Sequence, residues 1–193
     1  MDVKEAIHQR RAYRSLGPVS ITKEMIRDLA ESAGLFCSCF NKQPWRYVFV
    51  HDAEILTRMH DALSPGNEWA KAASMIVAVF SKPELDCIIK DRNYYLFDTG
   101  MATAALILRA TELGLVAHPI AGYSPKKIRE ILNIPGKMEV ITLVIVGKHS
   151  ATTDPILSEK QIEAEKKRPK RLAFENFAYL NSYKGNEAQT DPV

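Results

Sequence analysis

The segment Met75-Ile76-Val77-Ala78-Val79-Phe80 is an unbroken apolar run without a charge, and Ser81-Lys82-Pro83 ends it. A run of this length, rich in β-branched residues, predicts a central strand that is buried on both faces. Val140–Val146 is a second such run, and the aromatic and β-branched segment Trp45–Val50 also reads as a strand.

Segments with helical periodicity interleave with these strands. Thr22 is a suitable N-cap for a helix over Lys23–Ala33, and Ser124-Pro125 is a suitable start for Lys126–Leu132. The longest helix is expected from about Asn93 to Leu113, and further helices over Asp2–Arg11, Glu54–Leu63 and Ser158–Lys167. Helices alternating with buried strands predict an α+β or α/β domain with one sheet.

The composition predicts a single globular domain. The chain has 193 residues, of which 46% are hydrophobic and 25% charged, as in ordinary globular proteins. No apolar run approaches the ~18 residues that cross a bilayer, and the first residues lack the apolar stretch of a signal peptide. We therefore expect no membrane association and a cytoplasmic location.

The cysteines are expected to be thiols. An odd count, Cys37, Cys39 and Cys87, with two of the three in a C-x-C pair, does not suggest a disulfide framework. A reducing compartment is the simplest interpretation, with the three side chains buried or half-buried. Neither the cysteines nor the histidines have the spacing of a zinc or iron–sulfur site, so no metal is expected.

The positive charge is concentrated at the two ends of the chain. The net charge is +3, and the segment Glu159–Arg171, with six Lys or Arg and three Asp or Glu, accounts for all of it. Near the start, Arg10, Arg11 and Arg14 have no acid beside them. These guanidinium groups suit a phosphate, although a solvated basic helix end explains them equally well. The acids within the C-terminal segment argue against nucleic-acid binding.

Five motifs follow one another along the chain. The first motif has two parts, residues 10–14 (Arg-Arg-Ala-Tyr-Arg) and Ser38-x-x-Asn41-x-Gln43-Pro44-Trp45-Arg46. The other four motifs are Asp98–Ala102 with Gly114-Leu115, Pro119–Tyr123, Ile141–Gly147 and Arg168–Leu172. Together, and in this order, they resemble the nitroreductase family of FMN flavoproteins. The resemblance implies an α+β fold with a central, mostly antiparallel sheet flanked by helices. It also implies an intertwined homodimer with one FMN at each subunit interface.

The resemblance implies two groups of flavin-binding residues. The first meets the phosphate and ribityl end of FMN from both ends of the chain, with Arg14 also reaching towards the ring: Arg10, Arg11, Ala12, Arg14, Arg168, Lys170 and Arg171. The second surrounds the isoalloxazine ring, with Ser38 and Asn41 either coming from the partner subunit or shaping the ring pocket: Ser38, Asn41, Gln43, Asn67, Pro119, Ile120, Ala121 and Gly122. No side chain is expected to be catalytic, because the flavin N5 carries the chemistry.

The implied domain organisation separates a body from a tail. Residues 1–171 form the FMN-binding domain, and residues 172–193, rich in large apolar side chains, pack on the dimer partner. The implied activity is ping-pong hydride transfer from NADH or NADPH to a nitroaromatic, quinone or similar acceptor. Ala121 stands where some relatives carry Glu, which leaves a second hypothesis, a non-catalytic flavin-binding or redox-sensing protein. The acceptor, the choice of nicotinamide and one- or two-electron chemistry stay open.

Overall fold

The computed structural model describes residues 1–184. The seven strands are β1 (Leu16–Gly17), β2 (Arg46–Val50), β3 (Met75–Ser81), β4 (Ile88–Ile89), β5 (Arg92–Asn93), β6 (Val116–Ile120) and β7 (Glu139–His149). The six α-helices are α1 (Val3–Gln9), α2 (Lys23–Gly34), α3 (Ala53–His60), α4 (Tyr95–Glu112), α5 (Pro125–Leu132) and α6 (Glu159–Lys166). Short 3₁₀ turns lie at Cys39–Asn41, Glu68–Ala72, Pro83–Leu85 and Phe174–Asn176.

The central sheet is antiparallel throughout its described pairs. β3 pairs with β2 on one side and with β7 on the other. The far edge of β7 is shared by β6, which pairs with residues 143–147, and by β1, which pairs with residues 148–149. β4 and β5 form a separate two-stranded ribbon. The α+β class and the mostly antiparallel sheet are therefore confirmed.

Every residue of β3 is buried, as its apolar run predicts. Alternate side chains point to opposite faces of a strand, so this strand contributes to two cores. Ile76, Ala78 and Phe80 belong to the core shared with α3, α5 and Trp69. Met75, Val77 and Val79 belong to the core shared with α2 and α4. The sheet thus lies between two helical layers.

The predicted helices are all present, with ends that differ by a few residues. The largest consequence is at α1, which ends at Gln9, because Arg10 leaves the helix with φ −54° and ψ 121°. Residues 10–15 are not helical. Arg10 is the C-cap of α1 and Arg14 lies beyond the helix end, so the two arginines do not share a helix face.

The tail leaves large apolar side chains exposed. Five of them have exposed fractions of 57% to 74%: Leu172, Phe174, Phe177, Leu180 and Tyr183. The body at residues 1–171 and the extension at 172–193 stay predictions, and residues 185–193 of that extension lie outside the described part. Among residues 1–184, none of the helices combines the length and apolar character that crossing a bilayer requires.

Candidate functional site

A basic cavity forms where the two ends of the chain meet. Its volume is about 220 Å³. The lining residues come from the extended segment after α1 and from α6 with the chain that follows it: Arg10, Arg11, Ala12, Arg14, Ala164, Arg168, Pro169 and Arg171. The structure therefore brings together six of the seven residues predicted at the phosphate end. The seventh, Lys170, lines a neighbouring cleft of about 620 Å³ instead.

Two of these arginines hold the ends of the chain together. Arg11 donates from Nη2 to the carbonyl oxygens of Ala164 and Glu165, each at 3.0 Å. Arg168 donates from Nη2 to the carbonyl oxygens of His8 and Arg10, at 2.6 and 2.8 Å. The last carbonyls of a helix have no partner within it. Each arginine therefore caps the C-terminus of the helix at the other end of the chain.

Glu165 anchors the segment that carries the N-terminal arginines. Its carboxylate accepts hydrogen bonds from the backbone N–H of Arg14, from the backbone N–H of Ser15 at 2.8 Å and from the Ser15 hydroxyl at 2.5 Å. Ser15 Oγ in turn accepts from the backbone N–H of Asp154 at 3.0 Å. These bonds hold the pKa of Glu165 below its usual value, although burial opposes the shift. Neither Glu165 nor Ser15 was predicted as a site residue. The sequence signal that could have pointed to Glu165 is its position as one of three acids within the basic segment Glu159–Arg171.

The remaining guanidinium groups of the cavity lack a salt-bridge partner among the described residues. Within residues 1–184, no carboxylate lies within salt-bridge distance of Arg10, Arg14 or Arg171. Burial lowers the pKa of Arg10, and the neighbouring charges of Arg168, Arg171 and Arg11 lower it further. Burial lowers the pKa of Arg14, and the nearby charge of Glu165 opposes that shift. Five guanidinium groups around a concave surface favour an anion with several acceptor oxygens.

An aromatic cluster lies beside this cavity. The ring of Trp69 stacks on that of His118 with their centroids 4.7 Å apart, and the Arg14 guanidinium carbon lies 5.8 Å from the Trp69 ring centre. His118 Nδ1 is 3.0 Å from the carbonyl oxygen of Tyr13. Burial lowers the pKa of His118 to about 4, so the imidazole is neutral at physiological pH. Sequence reasoning missed both Trp69 and His118, because a Trp or His in an apolar setting is usually a core residue.

The loop that follows β6 is joined to Asn67. Asn67 Nδ2 donates to the carbonyl oxygen of Gly122 at 3.2 Å, and the backbone N–H of Ser64 donates to the same oxygen at 3.0 Å. A Cβ atom at Gly122 would lie 2.2 Å from Asn67 Nδ2, so only glycine fits without moving the amide. At the end of β6 Pro119 is exposed and Ile120 is buried, and Ala121, the first residue after the strand, is exposed. The structure thus groups five residues that were predicted near the flavin ring.

The other three residues predicted around the flavin ring, Ser38, Asn41 and Gln43, lie in the loop Ser38–Gln43. Ser38 Oγ accepts from the backbone N–H of Gln43 at 2.9 Å, and Gln43 Nε2 donates to the carbonyl oxygen of Asn41 at 3.3 Å. The side chains of Asn41 and Gln43 are exposed. In the described part of the chain, no hydrogen bond links this loop to the basic cavity or to residues 119–122.

A disulfide bond joins Cys39 in this loop to Cys87, and the expectation of three thiols is therefore wrong. The two residues are 48 positions apart, and the fold places their Cα atoms 6.0 Å apart, a separation that a disulfide can bridge. Spacing along the sequence cannot show that approach. Cys37 is a free thiol and is exposed. The backbone N–H of Cys39 also donates to Asp98 Oδ2, at 2.7 Å.

Comparison with known proteins gives consistent matches along the chain. A model of the Nitroreductase family matches residues 7–148. A protein of Archaeoglobus fulgidus named "Putative NADH dehydrogenase/NAD(P)H nitroreductase" is 31% identical over 145 residues, covering 73% of this chain and 82% of that protein. An NADH dehydrogenase of Thermus thermophilus is 22% identical, covering 76% of this chain and 86% of its own.

Solved structures have the same architecture. A crystal structure described as an oxidoreductase containing FMN superposes with a TM-score of 0.82 at 28% identity, covering 96% of this chain and 95% of that one. A nitroreductase-like protein of Exiguobacterium sibiricum, solved in complex with FMN, superposes with a TM-score of 0.70 at 22% identity, covering 84% and 96%. The fold described above is therefore that of the matched family.

Proposed function

The chain belongs to the nitroreductase family, and on that premise we propose that it is an FMN-dependent oxidoreductase that takes electrons from NADH or NADPH. The observation that supports this most directly is the basic cavity. Arg10, Arg14 and Arg171 surround it without a carboxylate partner among the described residues. The flavin's phosphate has the negative charge and the acceptor oxygens that would serve as a partner for these guanidinium groups.

The donor groups of the cavity fit the phosphate of FMN. Arg11 and Arg168 are already bonded to backbone carbonyls, so their part is to hold the walls in place. Arg10 and Arg171 are the groups left to bind phosphate oxygens, which accept paired hydrogen bonds from guanidinium. Asn67 and residues 119–122 are proposed to lie beside the isoalloxazine ring, and Ser38, Asn41 and Gln43 to approach it from the partner subunit.

When bound, FMN supplies ping-pong hydride chemistry at its N5, from the reduced nicotinamide to an electron-poor acceptor such as a nitroaromatic or a quinone. The chain's own residues bind and orient the group. Arg14 and Lys170 are the two candidates for a positive group beside the ring, where it would stabilise the reduced, anionic form. Arg14 fits better, because it lines the cavity and Glu165 fixes its backbone, whereas Lys170 lies outside.

We also propose that the working unit is a homodimer. The five exposed apolar side chains of the tail have no surface of their own subunit to cover them. Leu35, Phe36 and Phe40, beside or within the loop Ser38–Gln43, are exposed as well. Apolar groups exposed together usually mark an interaction surface. Sedimentation of the full chain should give a dimer, and a chain that ends at Arg171 should give a monomer or a weaker dimer. Unchanged association would contradict the role of residues 172–193.

Flavin binding tests the proposed function. The purified protein should be yellow or should bind added FMN, and Arg10→Ala combined with Arg14→Ala should release it. Arg27→Ala, an exposed arginine on α2, is the matched control and should retain the flavin. A wild-type protein that binds no FMN would refute the proposal.

Anaerobic mixing with NADH and with NADPH tests the activity. Bleaching of the flavin absorbance, followed by its return on adding a nitroaromatic or a quinone, is the expected result, and the two rates give the preferred nicotinamide. Retained FMN that neither nicotinamide reduces would favour the second candidate, a non-catalytic flavin-binding protein. The observation that supports this candidate is Ala121, which is exposed on the loop after β6 and offers no polar side chain to a nicotinamide.

A further inference from the structure

We propose that Cys39 and Cys87 form a thiol–disulfide exchange site for a dithiol, and that their oxidised state holds the loop Ser38–Gln43 in the shape that faces the flavin. The part that concerns flavin rests on the proposed function. The bond connects this loop to the segment just before β4, 48 residues away. Cys39 lies between Ser38 and Asn41, two of the residues proposed to approach the flavin ring, so its bonding state acts directly on them.

The loop has a backbone conformation that needs external support. Phe40, Asn41 and Gln43 have φ values of 46°, 55° and 52°, and non-glycine residues rarely adopt this left-handed region. The Phe40 side chain is 86% exposed, so packing within the subunit does not fix it. At Cys39 two contacts tie the loop to the rest of the fold, the disulfide and the hydrogen bond to Asp98. Breaking the disulfide leaves only the hydrogen bond to Asp98, which is the weaker of the two contacts.

The pair is accessible from one side. Cys39 is partly exposed, whereas Cys87 is 8% exposed. An incoming thiolate therefore attacks Cys39 Sγ, forms a mixed disulfide there and releases Cys87 as a thiolate. The second thiolate of the dithiol then attacks its own sulfur in the mixed disulfide and releases Cys39. The dithiol is oxidised to a disulfide, the protein disulfide is reduced to two thiols, and two protons pass to the cysteine sulfurs.

A buried carboxyl pair lies beside the released sulfur. Asp86 Oδ1 accepts from the backbone N–H of Cys87 at 2.7 Å, and Asp86 Oδ2 is buried without a partner among the described residues. Burial raises the pKa of Asp86, and the neighbouring Asp98 carboxylate raises it further, against the opposing charge of Lys42. When the disulfide opens, the Cys87 sulfur is therefore released beside a carboxyl group that is buried and has no partner on one oxygen among the described residues.

The same three residues are also a possible metal site. The ligand atoms of Cys39, Cys87 and Asp86 all lie within 4.8 Å of one another, and two thiolates with a carboxylate suit zinc. The disulfide favours exchange over metal binding, because bonded sulfurs do not ligate as thiolates. In a reducing compartment, disulfides are usually transient or redox-sensing.

Thiol counting and hydrogen exchange test the site without any flavin. In denaturant, protein purified without reductant should show one reactive thiol, Cys37, and protein treated with dithiothreitol should show three. In the native, flavin-free protein, amide exchange across residues 38–43 should be faster after reduction. Cys39→Ser and Cys87→Ser should show the faster exchange with or without reductant. Cys37→Ser, the matched control, should keep the wild-type response.

Flavin affinity then tests the consequence. If the reduced loop is in the binding shape about one tenth of the time, FMN binds about tenfold more weakly. We expect that loss in reduced wild type and in Cys87→Ser, and full affinity in oxidised wild type and oxidised Cys37→Ser. Equal exchange and equal affinity in both states would overturn the proposal. So would three thiols in the untreated protein, or stoichiometric zinc bound to the pair. If no form binds FMN, the proposed function fails, whereas the thiol count and the exchange rates still decide the switch.

Discussion

Replacing Arg168 with Met should destabilise the flavin-free protein, whereas replacing Arg10 with Met should not. Arg168 donates two hydrogen bonds to carbonyl oxygens at the end of α1, at 2.6 and 2.8 Å. Hydrogen bonds from charged groups contribute about 1.5–3 kcal/mol. Since the side chain is partly exposed, we take about 1 kcal/mol for each of the two bonds, below that range, and hence a total of about 2 kcal/mol. For a chain of this size that corresponds to a fall in Tm of about 4–8 °C.

Replacing Arg10 with Met should affect flavin binding rather than stability. Its neighbouring charges are all positive, and no carboxylate among residues 1–184 pairs with it. Removing its charge relieves repulsion, so the Tm of the flavin-free protein should stay the same or rise. The FMN dissociation constant should increase about 10- to 150-fold, because one charge-assisted hydrogen bond worth about 1.5–3 kcal/mol is lost.

Calorimetry of flavin-free protein and a flavin fluorescence titration measure the two effects separately. Both need buffers without phosphate and one fixed protein concentration, since an anion or a dimer partner raises the apparent stability. Arg27→Met is the matched control, because Arg27 is exposed on α2 and does not line the cavity. An equal fall in Tm for the Arg10 and Arg168 variants would refute the division of the arginines into structural and phosphate-binding groups.

Three further changes have defined outcomes. The His118 pKa of about 4 lies below its usual 6.5, so protonation favours the unfolded chain. The free energy of unfolding should therefore fall by about 3 kcal/mol from pH 6.5 to 4, and urea titrations of His118→Gln should lack that fall. Gly122→Ala should displace Asn67 and weaken FMN binding up to about tenfold, while Gly136→Ala, which has open space around it, should bind normally. Glu165→Gln should lower the flavin-free Tm by about 2–6 °C; an unchanged Tm would show that its hydrogen bonds add nothing to stability.

The sheet and its helices could be predicted because their causes are local. An apolar run such as Met75–Phe80 has one stable environment, the centre of a sheet, and β3 is buried at every position. Thr22, Ser124 and Ser158 each accept the hydrogen bond expected of an N-cap. The five motifs also predicted the family correctly, because several motifs in one order are more specific than any one of them.

The roles of neighbouring arginines could not be predicted. Arg10 and Arg11 are adjacent and chemically identical, yet Arg11 caps α6 while Arg10 stays without a carboxylate partner among the described residues. That difference depends on where α1 ends and where α6 lies, more than 150 residues further along the chain. The same holds for Cys39 and Cys87, whose Cα atoms the fold brings to 6.0 Å.

By itself, then, the sequence determined the six helices, the strands β2, β3 and β7, and that its positive charge lies at both ends. The tertiary structure decided which of the charged side chains hydrogen-bond to the protein's own backbone, as Arg11 and Arg168 do, and which do not. The physical reason is the separation along the chain over which each kind of interaction acts. Apolar patterning and capping act within a few residues, whereas a hydrogen bond or a disulfide depends on a few ångströms between segments that only packing brings together.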